Sequence, residues 1–193
     1  LFPGQKAIIV ADENTWEVAG ADAQKSLDEA GVVSYEAFVF ESEDFYAEWK
    51  HVERLKAHLE GLDAVAVAVG SGVINDTVKY VSYLLGRRYM CVGTAASMDG
   101  FTAYGSCITK DGNKQTFDCP APLGFVLDSA IAAQAPKELA ASGYADLIAK
   151  IPAGADWMIA DAVGSEKIDE FAWGLVQDSL KDALSDPAAI LAG

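Results

Sequence analysis

The sequence predicts an α/β protein: a doubly wound, mostly parallel sheet with an edge β-hairpin, followed by the start of an all-helical domain. Three observations predict it. Between residues 6 and 128, apolar strand-like runs alternate with helical stretches, the rhythm of βα units. Residues 65–79, VAVAVGSGVINDTVK, pass from a strand buried on both faces through a glycine turn into a helix. From Pro136 onward the sequence is Ala-rich and helical in pattern, without strand signals. The domain boundary falls there, with residues 1–135 in the first part and 136–193 in the second.

Each element has a local reason. Residues 6–12, KAIIVAD, read as a strand ending on Asp12. Residues 18–30 read as a helix that Gly31 stops. Residues 32–40, rich in Val and aromatics, are the second strand, and 43–61 a charged helix. His51 and His58 lie on that helix two turns apart among Lys50, Glu53, Arg54 and Lys56. A solvated face fits them better than a metal site, because no third ligand stands at helical spacing. Residues 64–69 are the third strand and 89–92 a short fourth, followed by the hydroxyl-rich loop GTAASMDG at 93–100. Residues 104–110 and 115–119 flank Asp111-Gly112-Asn113, the signature of a hairpin turn. Residues 124–128, GFVLD, close the strands. In the helical part, Asp146 sits between Tyr144, Ala145, Leu147 and Ile148, which predicts partial burial and hence a cation or metal as partner. Ile148, Ile151, Leu175, Val176 and Leu180 form apolar faces that need covering.

The Gly70-Ser71-Gly72 turn carries the first functional signal. Strand, glycine turn and helix N-terminus in that order make an anion site, because the backbone can approach a ligand and the first helical N–H groups point at it. The usual ligand is a nucleotide pyrophosphate. The spacing G-x-G-x-x-N lacks its third glycine, so a tight βα turn without a ligand is the alternative. In parallel sheets, ligands sit beyond the carboxyl ends of strands, and Asp12 and Gly70 both fall at such ends.

Composition narrows the classes. The 193 residues are 51% hydrophobic, enough for one generous domain or one with the start of another. With 14 basic and 29 acidic residues the formal charge is −15, which argues against nucleic acid and anionic membrane surfaces as partners. No apolar run approaches a membrane span, and no leader pattern opens the chain, whose first residues, LFPG, read as a start within a longer protein. Cys91, Cys107 and Cys119 are odd in number and unpatterned, which predicts buried small hydrophobes in a reduced, cytoplasmic setting.

Three motifs, GSGVINDTVKY, GTAASMDGFT and ASGYADLIAK, resemble in order and spacing the glycerol dehydrogenase, dehydroquinate synthase and iron-containing alcohol dehydrogenase superfamily. Ser97-Met98-Asp99-Gly100 and Ala155-Asp156-Trp157 are most similar to its glycerol-1-phosphate dehydrogenase branch, AraM type included. The resemblance spans residues 6–184. It implies a Rossmann-like nucleotide domain followed by a helical metal and catalytic domain. By position, Asp12 matches the residue meeting the adenosine end of NAD or NADP. Gly70 and the stretch Gly72, Val73, Ile74, Asn75 and Asp76 match the pyrophosphate turn. Thr94 and Ser97 match hydroxyl residues on the nicotinamide side, Asp99 a carboxylate at the polyol substrate, and Asp146 a carboxylate that ligates the catalytic metal and touches substrate. Ala103 stands where the family usually carries a further cofactor-contacting Ser.

The resemblance also implies two metal-binding histidines from a later helical region. Nothing in this sequence matches them, and His51 and His58 do not substitute. One carboxylate does not hold Zn²⁺ or Ni²⁺, since stable sites need about three or four protein ligands. The chain is therefore expected to be a fragment without turnover of its own. In the complete protein the implied reaction is hydride transfer between NAD(P)H and dihydroxyacetone phosphate, with sn-glycerol 1-phosphate as the alcohol and a homo-oligomer as the assembly. An unphosphorylated polyol, a dehydroquinate synthase-like lyase and a nucleotide-binding module without chemistry stay open. The presence of Asp99 and Asp146 argues against the last.

Overall fold

The structure, a computed structural model, describes residues 1–43 and 45–188. It divides into two compact units, Leu1–Ala95 with Gly100–Ala133, and Ala96–Asp99 with Gln134 onward.

The first unit follows the βα rhythm. Strand β1 (Ala7–Asp12) leads into a short helix α1 (Glu13–Thr15), a π-helical turn at Trp16–Gly20 and helix α2 (Ala21–Glu29). Then come β2 (Phe38–Phe40), α3 (Trp49–Glu60), β3 (Val65–Gly70), α4 (Gly72–Leu84) and β4 (Met90–Gly93). A hairpin of β5 (Ser106–Lys110) and β6 (Asn113–Phe117) precedes β7 (Gly124–Leu127) and the short helix α5 (Ser129–Ala132). The five-stranded sheet has the order β2-β1-β3-β4-β7, parallel throughout. Central β1 and β3 are apolar along their length because helices cover both faces. Ile8, Ile9, Val10, Ala68 and Val69 are fully buried. Each large aliphatic side chain so buried contributes roughly 1.5–3 kcal/mol.

Three expectations change. The second strand is only Phe38–Phe40, and residues 32–37 reach the sheet through a single bridge from Ser34 to Ala7. The charged helix begins at Trp49 rather than at residue 43. The hairpin turns as expected, with Asp111 at φ 52° and Gly112 at φ 74°, the mirror-image turn that matches strand twist. It is not at the sheet edge, however. β5 and β6 form a separate two-stranded sheet. Its apolar side, with Ile108 buried, turns to helices α3 and α4. There Phe117 meets Tyr80 at 4.9 Å and Trp49 at 5.6 Å between ring centroids. The rings on the helices give that face an apolar surface to pack on.

The solvated-face reading holds for His58, which is exposed beside Phe38 at 4.7 Å between ring centroids, and is corrected for His51, which is half-buried, 5.0 Å from the Phe45 ring and 5.6 Å from Phe40. Cys91 and Cys119 are buried as expected, but Cys107 is half-exposed, its Sγ 3.6 Å from Thr116 Oγ1. Burial pushes the Cys91 thiol up to about 12 and raises that of Cys119. At pH 8 a thiol reagent should therefore label Cys107 first, with Cys91 and Cys119 reacting only on unfolding. Equal labelling rates, read by mass spectrometry, would contradict this packing.

The second unit is helical. Helix α6 (Lys137–Ala162) starts after Pro136 and carries Pro152 inside it. α7 (Glu170–Gln177), capped by Asp169 on the Ala172 N–H, and α8 (Leu180–Ala183) follow. Gln177 Nε2 donates to Lys150 O at 3.1 Å and Tyr144 Oη to Leu184 O at 3.0 Å, which tie the helices together. Leu180 is buried. Ile148, Ile151, Leu175 and Val176 are exposed at 44, 56, 68 and 43%. Among the described residues no helix is long and apolar enough to cross a membrane.

Candidate dinucleotide and substrate sites

In the first unit, the sheet order places the candidate site. From β1 the chain goes to β2 on one side, then crosses to β3 and β4 on the other. The switch point lies between β1 and β3, and ligands of open α/β sheets bind beyond the carboxyl ends there. Asp12 closes β1 and Gly70 closes β3, so the two residues flank that point. Gly93 pairs with Gly70 in register, and Thr94 donates its N–H to Gly70 O at 3.3 Å.

The turn is built for helix α4. Ser71 stands in extended conformation at its N-cap, and the Asn75 N–H is bonded to Ser71 O at 3.0 Å. The N–H groups of Gly72, Val73 and Ile74 belong to the first helical turn, which has no earlier carbonyls to bond. Gly70 is needed for a different reason: a Cβ there would stand 2.7 Å from Ile74 Cγ1. The donor set of three main-chain amides at the start of a thirteen-residue helix fits a pyrophosphate.

The side chains around the turn have other work. Ile74 is buried in the core. Asn75 is fully buried; its Nδ2 donates to Phe101 O at 3.3 Å and its Oδ1 accepts from Tyr89 Oη at 2.9 Å. Asp76 accepts from the Cys107 N–H at 3.3 Å, and its carbonyl accepts from Ser106 Oγ at 2.7 Å. Burial raises the Asp76 carboxyl above its ordinary value, opposed by the Lys79 charge and the Cys107 N–H. For Ile74, Asn75 and Asp76, the side chains thus hold the turn from below, and only their main chain can face a ligand. Val73 and Gly72 are half-exposed. Asp12 is the N-cap of α1: its Oδ1 accepts from the Thr15 N–H at 2.9 Å, while Thr15 Oγ1 accepts from the Asp12 N–H at 3.0 Å. This cap uses one carboxylate oxygen. Thr94 is buried.

In the second unit, the loop 96–99 lies against α6. Gly143, Asp146 and Lys150 share one face at i, i+3 and i+7. A Cβ at Gly143 would overlap the Ala96 carbonyl oxygen. Asp146 Oδ2 accepts from the Asp99 N–H at 2.9 Å, and Lys150 Nζ lies 3.0 Å from Asp99 Oδ2 and 3.7 Å from Asp146 Oδ1. The Asp99 N–H, more than the Lys150 charge, holds the Asp146 carboxyl below its ordinary value. Asp146 is half-buried, as its neighbours in sequence predict, and its cation is Lys150. Asp99 is exposed and Ser97 half-exposed. Lys150 is a residue that sequence reasoning passed over, although its i+4 spacing from Asp146 is a readable ion-pair signal.

The residues present do not fit a divalent metal. Among the described residues no group of three or more His, Cys, Asp and Glu side chains converges on one point. Asp146 offers a single carboxylate, already facing an ammonium.

A doubly wound parallel sheet with a glycine turn at its switch point defines the Rossmann-like class of α/β folds. Residues 2–136 match the family of iron-containing alcohol dehydrogenases, and the chain belongs to that family. The glycerol-1-phosphate dehydrogenase, NAD(P)+-dependent by name, of Bacillus velezensis is 32% identical over 189 residues, 96% of this chain and 48% of that protein. Its namesake from Methanocorpusculum labreanum is 35% identical over 169 residues, covering 87% of this chain and 45% of the relative. The chain thus spans about half the length of the curated relatives it matches. Two solved structures share its fold. The iron-containing alcohol dehydrogenase of Thermotoga maritima superposes with a TM-score of 0.69 over 98% of this chain and 58% of its own, at 16% identity. The glycerol dehydrogenase of Schizosaccharomyces pombe gives 0.62 over 74% and 36%, at 22% identity.

Proposed function

We propose that this protein is an NAD(P)-dependent oxidoreductase that interconverts sn-glycerol 1-phosphate and dihydroxyacetone phosphate. The observation that carries the reading is the placement of Asp12 and the Gly70-Ser71-Gly72 turn on either side of the sheet's switch point. The substrate comes from the relatives named glycerol-1-phosphate dehydrogenase, about 30% identical over most of the chain. NAD(P)H supplies the hydride chemistry when bound. In this reading the amides of Gly72, Val73 and Ile74 bind the pyrophosphate, with Asn75 and Asp76 bracing them. Asp12, with one oxygen in its cap, accepts a ribose hydroxyl with the other. Thr94 and Ser97 serve the nicotinamide side. Asp99 accepts a substrate hydroxyl, and Asp146 orients it through the Asp99 N–H. A Zn²⁺ or Ni²⁺ ion requires ligands besides Asp146, so no step is assigned to one here. The exposed apolar faces of α6 and α7 support a homo-oligomer.

Titration of the 193-residue chain with NADH, followed by fluorescence, tests the binding half of this reading. Saturable binding is expected; none at millimolar NADH sinks it. The same chain, given dihydroxyacetone phosphate, NAD(P)H and Zn²⁺ or Ni²⁺, should not oxidise the cofactor. Metal-dependent oxidation abolished by Asp146→Ala would show that its ligand set is complete. The full reading frame should oxidise NAD(P)H with dihydroxyacetone phosphate; activity only with unphosphorylated glycerol would move the substrate assignment to polyols.

A further inference from the structure

Lys79 is the one lysine among the described residues that the fold buries, with 1% of its surface exposed. A buried ammonium without a carboxylate bonded to it is costly unless other acceptors replace water. Here main-chain carbonyls do so. Nζ donates to Ala103 O at 3.0 Å, Gly105 O at 3.1 Å and Gly100 O at 3.4 Å. An ammonium has three donors and no acceptor, so all three N–H bonds are used. They converge on one segment, residues 100–105. The same segment receives a second tie one helical turn earlier, where Asn75 Nδ2 donates to Phe101 O. Asn75 and Lys79 stand at i and i+4 on the buried face of α4. Phe101 then stacks on Phe125 of β7 at 4.9 Å, which fixes the far side of the segment.

The arrangement has a direction. Asn75 follows directly on Gly72-Val73-Ile74, and its own N–H closes the first turn on Ser71 O. Whatever holds Phe101 therefore holds the first turn of α4 from beneath. Three charge-assisted bonds from Lys79 fix the segment far more firmly than the single amide of Asn75 alone does. A hydrophobic residue fills the core position more cheaply, so the lysine is not there for burial. The charge that interacts with Lys79 is Asp76, on the same helix, which in turn also feels Lys114 on β6 of the hairpin.

We propose that Lys79 is a positioning residue for the dinucleotide site: its ammonium pins residues 100–105, and through Phe101 and Asn75 this holds the anion-binding turn at 71–75 in shape. The inference rests on the proposed dinucleotide reading. It predicts that Lys79→Met weakens NADH binding by roughly tenfold, the penalty for a loosened supporting contact. Lys79→Gln, which keeps a two-donor amide on a shorter stem, should fall between parent and Lys79→Met. The readout that separates positioning from bulk stability is local hydrogen exchange. In both variants, residues 71–76 and 100–105 should exchange faster, while β1 and β3 keep the protection of the parent. Should Lys79→Met fail to fold, Lys79→Gln carries both measurements. Two results overturn the inference: NADH affinity equal to the parent in the substituted chain, or exchange that rises as much in β1 and β3 as in the two segments. Failure of the unsubstituted chain to bind NADH is a different result; it removes the dinucleotide reading itself and this inference with it.

Discussion

Gly72→Val should remove NADH binding while leaving the parallel sheet folded. Gly72 is the first residue of α4, half-exposed, at the head of the turn between β3 and the helix. Its position is helical, which valine tolerates on the surface of a first turn at a small cost in propensity. The larger cost falls on the ligand. A branched side chain at this point occupies the space in which a phosphate approaches the amides of Gly72 and Val73. Losing two charge-assisted amide bonds, at about 1.5–3 kcal/mol each, amounts to roughly a hundredfold or more in affinity. Calorimetric titration with NADH and thermal unfolding measure the two halves separately. Binding equal to the parent means that the turn serves packing alone, as Gly70 does for Ile74. Loss of binding together with loss of the fold leaves the amide assignment unsupported.

Gly143→Ala should destabilise the helical unit, against the sign that helix propensity dictates. In a helix interior, Ala is better than Gly by about 1 kcal/mol. Here the new methyl group would overlap the Ala96 carbonyl oxygen, with the Ala96 carbonyl carbon at 3.0 Å and that of Ser97 at 3.4 Å. These are main-chain atoms and cannot rotate away. Either α6 or the loop 96–99 must move. Movement breaks the Asp99 N–H bond to Asp146 and draws Lys150 from Asp99, at 2.9 and 3.0 Å in the parent. Overpacking of this kind costs about 1–3 kcal/mol, and against main-chain atoms that cannot rotate away the cost falls toward the upper end of that range, above the propensity gain. Urea unfolding of the variant should show a lower midpoint, and the Asp99 amide should exchange faster. A variant as stable as the parent with the Asp99 amide still protected contradicts the close approach of α6 to this loop.

Lys150 shows how far local reasoning reaches. A carboxylate set among Tyr144, Ala145, Leu147 and Ile148 must find a cation, and that much follows from burial. The i+4 position names Lys150 as one candidate. That the same ammonium also takes Asp99, forty-seven residues before Asp146, depends on where the chain folds back. The imidazole of His51 makes the opposite point. Charged neighbours in sequence suggest solvent around His51, but the rings of Phe40 and Phe45 claim it.

By itself the sequence determined what depends on neighbours a few residues apart. Period-two and unbroken apolar runs specify β1 and β3, Asp111-Gly112 specifies the hairpin turn, and the glycine turn after Val69 opens α4. The order of these elements, with right-handed crossovers, makes a parallel sheet the natural solution, so Asp12 and Gly70 were assignable to strand ends in advance. Only the tertiary structure decided which surfaces those elements meet. The hairpin stands off the sheet edge because its Phe117 packs against Trp49 and Tyr80 on the helices, partners that local sequence does not name. The loop 96–99 joined the helical unit because Gly143 lets α6 approach its backbone and Asp146 and Lys150 bind it. Asn75 and Lys79 turned inward because residues 100–105 bring carbonyls to the buried face of α4. In each case the deciding partner is distant in the chain, and polar groups taken from water accept whichever distant partner satisfies their hydrogen bonds.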